Sequence, residues 1–170
     1  LYWGSDRHSM DADPDRIFVG EQRKGSRLGQ NSPVIYDLDN DGYDDILLGS
    51  FTNQGDRLGR VYLYYGNTKE LMDTSHDLIF TAENFSDQLA FGIHIACGKI
   101  DNDDYGDIVI GSRGFPINRQ KVQAHLYYGD SRSNMNAESD VVFEIKSEDP
   151  LLYGRGIVCV DQNRDGYDDI

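Results

Sequence analysis

Basic residues are scarce in this chain, and no apolar run is long. Its 170 residues carry 16 Lys and Arg against 30 Asp and Glu, for a formal net charge of −14. Such a field repels nucleic acid and anionic lipid, so neither is an expected partner. No stretch approaches the roughly 20 apolar residues that span a bilayer, so this segment is not expected to insert into a membrane. There are two cysteines, Cys97 and Cys159, too few for a disulfide framework. They read either as free thiols on inner strands or as a bridge between neighbouring blades, and spacing alone leaves both open. No G-x-S-x-G, P-loop, H-E-x-x-H or C-x-x-C occurs. The four histidines, His8, His76, His94 and His125, share no ligand spacing. The chain itself therefore reads as non-catalytic, whatever domain is attached to it. Helical periodicity is also missing, and residues 67–76 hold a turn of helix at most.

Aromatics and turn formers are plentiful, with 11 Tyr, 7 Phe and 18 Gly. They argue against the disorder that acidity alone would suggest. They also recur in order. Asp45-Ile46-Leu47-Leu48-Gly49-Ser50 returns 62 residues later as Asp107-Ile108-Val109-Ile110-Gly111-Ser112, and Asp169-Ile170 begins a third copy. Leu63-Tyr64-Tyr65-Gly66 returns as Leu126-Tyr127-Tyr128-Gly129 and is foreshadowed by Leu1-Tyr2-Trp3-Gly4. An Asp three residues before a Phe recurs as Asp15 to Phe18, Asp77 to Phe80 and Asp140 to Phe143, with an apolar pair between them in the last two copies. Leu28-Gly29, Phe91-Gly92 and Tyr153-Gly154 form a fourth series.

Each repeat holds four short segments rich in Val, Ile, Tyr and Phe and flanked by Gly, Asn or Asp, which are strand signals. Ile46-Leu47-Leu48 and Ile108-Val109-Ile110 are continuous, as expected of strands buried on both faces. Four strands per repeat, repeated side by side, make an all-β fold, a β-propeller. A β-sandwich would not explain the strict return of one acidic loop. The expected parse is the outer strands of one blade in 1–20, blades in 33–82 and 93–146, and the start of another in 155–170. The chain opens on Leu1 and stops at Ile170 inside a motif that runs on in earlier copies. It is read as part of a longer ring whose other blades are required to complete it.

The acidic loops carry the chemistry. The first runs Asp37-Leu38-Asp39-Asn40-Asp41-Gly42-Tyr43-Asp44-Asp45 and the third Asp161-Gln162-Asn163-Arg164-Asp165-Gly166-Tyr167-Asp168-Asp169. Side-chain oxygens at positions 1, 3, 5 and 9 and a carbonyl at 7 can wrap one hard cation, and Gly at 6 permits the sharp turn. Ca²⁺ takes about 6–8 oxygens and tolerates irregular geometry. The expected ligands are Asp37, Asp39, Asp41, the Tyr43 carbonyl and Asp45, and then Asp161, Asn163, Asp165, the Tyr167 carbonyl and Asp169. Without metal, four carboxylates would crowd one hairpin, each pair at about 4 Å repelling by roughly 1 kcal/mol in water. An EF-hand needs Glu at position 12, where Leu48 stands. In the second loop Lys99 replaces the first ligand and Asp104 the glycine, while Asp101, Asp103, the Tyr105 carbonyl and Asp107 keep their positions. Lys99 is expected to reach back and stand in for the cation, leaving that loop without calcium.

Phe91-Gly92, the acidic loops and Gly111-Ser112-Arg113 resemble the marks of FG-GAP repeats. These repeats form the seven-bladed propeller of integrin α-subunits. They also occur in glycosylphosphatidylinositol-specific phospholipase D and in secreted bacterial proteins. The resemblance implies a seven-bladed ring with structural Ca²⁺ in hairpins between the first two strands of a blade. It also implies an extracellular, cell-surface or periplasmic location, and a protein or glycan ligand on the propeller loops. Departures from the pattern are Leu28 in place of Phe, Gly49-Ser50-Phe51 in place of the second mark, and Lys99. Asn84-Phe85-Ser86 adds an N-glycosylation triplet.

Overall fold

The computed structural model describes residues 1–5, 9, 11–21, 27–50, 59–81, 90–113, 121–146 and 156–170. His8, the Asn84-Phe85-Ser86 triplet and Tyr153-Gly154 lie outside the described residues. The fold is all-β. Strands β1 (Val34–Tyr36), β2 (Asp45–Ser50), β3 (Arg60–Tyr64) and β4 (Leu78–Thr81) form one antiparallel sheet in chain order. A second sheet repeats that order with β5 (His94–Gly98), β6 (Asp107–Arg113), β7 (Lys121–Tyr127) and β8 (Val141–Lys146). The two sheets are successive blades of a partial β-propeller. In place of helix, residues 68–72 make a single turn, in which the N–H groups of Leu71 and Met72 both donate to the Thr68 carbonyl. No helix among the described residues is long and apolar enough to cross a membrane.

The continuous apolar runs follow from burial on two faces. In β2 and β3, Leu47, Val61 and Leu63 point into a core shared with Phe91, Ile108, Ile110 and Tyr127 of the next blade. The alternate residues Ile46, Leu48, Tyr62 and Tyr64 face the other way and pack under Trp3, Phe18 and Leu28. Each fully buried side chain of this size contributes about 1.5–3 kcal/mol. The Phe80 and Tyr127 rings meet edge to face at 4.8 Å across the blade boundary, a geometry worth about another 0.5–1.5 kcal/mol.

Two landmarks have structural causes that repeat with the sequence. The Asp that precedes Phe accepts the backbone N–H of the aromatic before Gly: Trp3 to Asp15, Tyr65 to Asp77 and Tyr128 to Asp140, all at 2.8 Å. The glycine of the Leu28-Gly29 and Phe91-Gly92 pairs takes a left-handed φ of 68° and 80°, which favours Gly. From there its N–H donates at 3.0 Å to the carbonyl of Gly49 in β2 or Gly111 in β6. The two cysteines are free thiols. Cys97 packs against the core between the blades. Cys159 lies against Gly98, the next residue of β5, whose Cβ direction is opposite.

Candidate metal centre

The first and second acidic loops join the first two strands of a blade, and the third is closed by a single antiparallel bridge between Val160 and Asp169. In the first loop the backbone curls around the Asp37 carboxylate, which accepts N–H groups from Asp41 at 3.1 Å and Gly42 at 3.0 Å. Asn40 and Gly42 are both left-handed, with φ of 55° and 90°. The third loop has the same conformation. Asp161 accepts from Arg164, Asp165 and Gly166, and Arg164 and Gly166 have φ of 66° and 96°. The second loop has neither left-handed residue. Lys99 offers no oxygen at the first position, so nothing draws the backbone into that curl.

The ninth-position Asp does more than sequence reasoning assigned to it. Asp45 is fully buried. Its Oδ2 accepts the Leu38 N–H at 2.8 Å and its Oδ1 the Gly66 N–H at 2.6 Å, tying the loop to the end of β3. Asp107 repeats this with Ile100 at 2.6 Å and Gly129 at 2.8 Å. Burial pushes Asp45 up to about 7; the two N–H donors oppose the rise, while the charges of Asp39 and Asp41 add to it. Burial also raises Asp107, against its own three backbone donors.

Carboxylate oxygens of Asp37, Asp39 and Asp45 all lie within 4.8 Å of one another. Oxygens sharing one Ca²⁺ at about 2.3–2.6 Å are separated by at most about 5 Å, so this spacing fits. The Asp39 side chain is only 5% exposed, and its Oδ1 is buried with no hydrogen-bond partner. Such an atom bears the full cost of desolvation unless a cation meets it. An all-oxygen donor set suits a hard cation. The residues present therefore fit calcium. Asp41 stands at the rim, with Oδ1 accepting the Tyr43 N–H at 2.9 Å. In the third loop Asp165 accepts the Tyr167 N–H at 2.9 Å in the same way. There the Asn163 oxygen is taken by the Asp165 N–H at 2.8 Å, and its amide nitrogen faces Asp169 at 3.5 Å.

In the second loop, Asp101 accepts the Asp103 N–H at 3.1 Å and Asp103 the Tyr105 N–H at 2.8 Å. Lys99 does not reach back. It is exposed, and its backbone N–H donates to Asp168 of the third loop at 2.9 Å. Among the described residues, the side-chain cation held by an acidic loop is instead Arg132, from the β7–β8 connection of the next blade, and the loop is the first. Its Nε lies 2.8 Å from Asp39 Oδ2 and its Nη2 3.0 Å from Asp41 Oδ2. Sequence reasoning missed Arg132 because it lies more than 90 residues along the chain from both partners, outside any local pattern.

No protein-family model matches the chain. Among curated proteins, the chain shows weak similarity to an integrin alpha-8 and to a phospholipase D. It is 30% identical to integrin alpha-8 of Mus musculus over 159 residues, covering 86% of this chain and 14% of that protein. It is also 27% identical over 143 residues to phosphatidylinositol-glycan-specific phospholipase D of Rattus norvegicus, covering 79% of this chain and 17% of the relative. The Mus musculus form of that phospholipase matches at 27% over 141 residues. The chain thus spans between 14% and 17% of the length of these relatives.

Proposed function

We propose that the chain is part of an FG-GAP-type calcium-binding propeller in an extracellular recognition or adhesion protein. Its Ca²⁺ ions are structural and stiffen hairpins between the first two strands of a blade. The ligands are Asp37, Asp39, Asp41, the Tyr43 carbonyl and Asp45 in the first loop. In the third they are Asp161, Asn163, Asp165, the Tyr167 carbonyl and Asp169. The bare, buried Oδ1 of Asp39 beside Asp37 and Asp45 carries this reading. The curl shared by the first and third loops supports it, and so does the relation to integrin alpha-8. Extracellular modules of this kind bind Ca²⁺ at roughly 10⁻⁴–10⁻³ M, which suits extracellular or periplasmic calcium. The chain serves binding, not catalysis, and its loops meet a protein or glycan ligand.

A second reading, an accessory propeller of a secreted hydrolase, is favoured by the match to phosphatidylinositol-glycan-specific phospholipase D. Cleavage of a phosphatidylinositol-glycan substrate by the full-length protein would select it. Calcium titration calorimetry on full-length protein tests the metal assignment. Asp41→Ala and Asp165→Ala are each expected to remove one site. Unchanged uptake in both variants would overturn it.

A further inference from the structure

The first loop differs from the other two in the partner of its third-position side chain. In the second and third loops that side chain accepts the N–H of the fifth residue, Asp103 to Asp101 and Asp165 to Asn163. In the first loop the corresponding N–H, that of Asp41, goes to Asp37 instead. Asp39 is held by Arg132, whose Nε binds Oδ2 and leaves Oδ1 bare. The same guanidinium binds Asp41 Oδ2, donates to the Gly66 carbonyl at 3.2 Å and lies 4.4 Å over the Tyr65 ring. Burial alone would lower Arg132, but the hydrogen bond to Asp39 and the charges of Asp39, Asp41 and Asp45 raise it overall, so it stays charged.

Arg132 is itself placed by its blade. The N–H groups of Asn134 and Met135 both donate to the Ser131 carbonyl, closing one turn. Met135 then packs against the core between the blades, which fixes the turn that carries Arg132. A planar fork with a stacking face can engage two carboxylates, a carbonyl and a ring at once.

Resting on the calcium reading above, we propose that Arg132 is a positioning residue for the first-loop site. By binding the outer oxygen of Asp39 it aims the inner one at Asp37 and Asp45. The metal site of one blade is thereby completed by a side chain of the next, and calcium affinity depends on the docking of the two blades.

The test is charge-conserving. Calcium binding to full-length protein is measured by calorimetry and by the rise in Tm between chelator and saturating calcium, for wild type, Arg132→Lys, Asp39→Asn and the double variant. Lys keeps the charge but not the fork, the stack or the simultaneous contacts. Arg132→Lys is expected to weaken the first-loop site on the order of tenfold and to shrink the calcium-dependent rise in Tm. The double variant is expected to bind no more weakly than Asp39→Asn alone, because Arg132 acts through Asp39. An Arg132→Lys variant with wild-type affinity would overturn the proposal, as would one that lowers Tm equally with and without calcium. If Asp41→Ala leaves calcium uptake unchanged, the calcium reading fails, and that result is distinct from a failure of Arg132 alone.

Discussion

At the scale of single residues, the ninth-position Asp has two separable duties. Asp45 and Asp107 each use both oxygens to accept backbone N–H groups from the loop and from the end of the third strand. Asp45 also stands within 4.8 Å of two further carboxylates, whereas Asp107 sits in the loop whose first position is Lys99. An Asn at either position presents an NH₂ group to one N–H donor, leaving a buried mismatch worth about 1–3 kcal/mol. Asp107→Asn is therefore expected to lower unfolding free energy by about 2 kcal/mol equally in calcium and in chelator. Asp45→Asn is expected to cost more in calcium than in chelator, because it also loses a ligand. Urea denaturation under both conditions checks this, and a calcium-dependent cost at Asp107 would contradict it.

At the scale of an element, β7 carries a histidine where its neighbours are apolar. His125 is fully buried beside Phe91, at 5.4 Å between rings, with Nε2 3.2 Å from Ser112 Oγ. Burial pushes its pKa from 6.5 down to about 4. Below pH 6.5 the unfolded chain takes up a proton that the folded chain refuses until about pH 4. Stability therefore falls as pH drops through that window, by up to about 3 kcal/mol from this residue. His125→Gln preserves a hydrogen-bonding group and does not titrate. The loss of Tm between pH 6.5 and 4 is expected to be smaller in that variant than in wild type. Parallel Tm profiles for the two proteins would rule this out.

At the scale of the whole molecule, the blades dock by exchanging bulk between repeat positions. Between the first two blades, the Tyr36 ring of β1 lies over Gly106 of the second loop, where an added Cβ would come within 2.5 Å of the ring. At the next boundary the sizes are reversed. Gly98 stands where Tyr36 stood and Asp168 where Gly106 stood, and an added Cβ on Gly98 would lie 2.5 Å from Asp168 Oδ2. Gly106→Asp, which makes the second loop resemble the others at that position, is expected to destabilise full-length protein by about 1–3 kcal/mol through overpacking. Tyr36→Gly in the same chain should recover part of that loss. Denaturation of the two single variants and the double variant measures the coupling, and strictly additive costs would show that the two positions do not share one space.

What the sequence determined by itself is what repeats within it: the 62-residue period, the strand runs, the acidic loops and the Gly at position 6 of the first and third. Each depends on residues close together in the chain, so the pattern and its physics coincide. Asp15, Asp77 and Asp140 were visible as a landmark, but their shared task, accepting the N–H of Trp3, Tyr65 and Tyr128, emerged only once strands were paired. Which side-chain cation meets an acidic loop was decided by the tertiary structure alone. Local reasoning placed Lys99 against the carboxylates of its own second loop, yet Lys99 is exposed, and it is Arg132 that packing places against Asp39 of the first. A side chain meets the partners that packing brings to it, and the docking of the second blade brings a residue 93 positions away to the first.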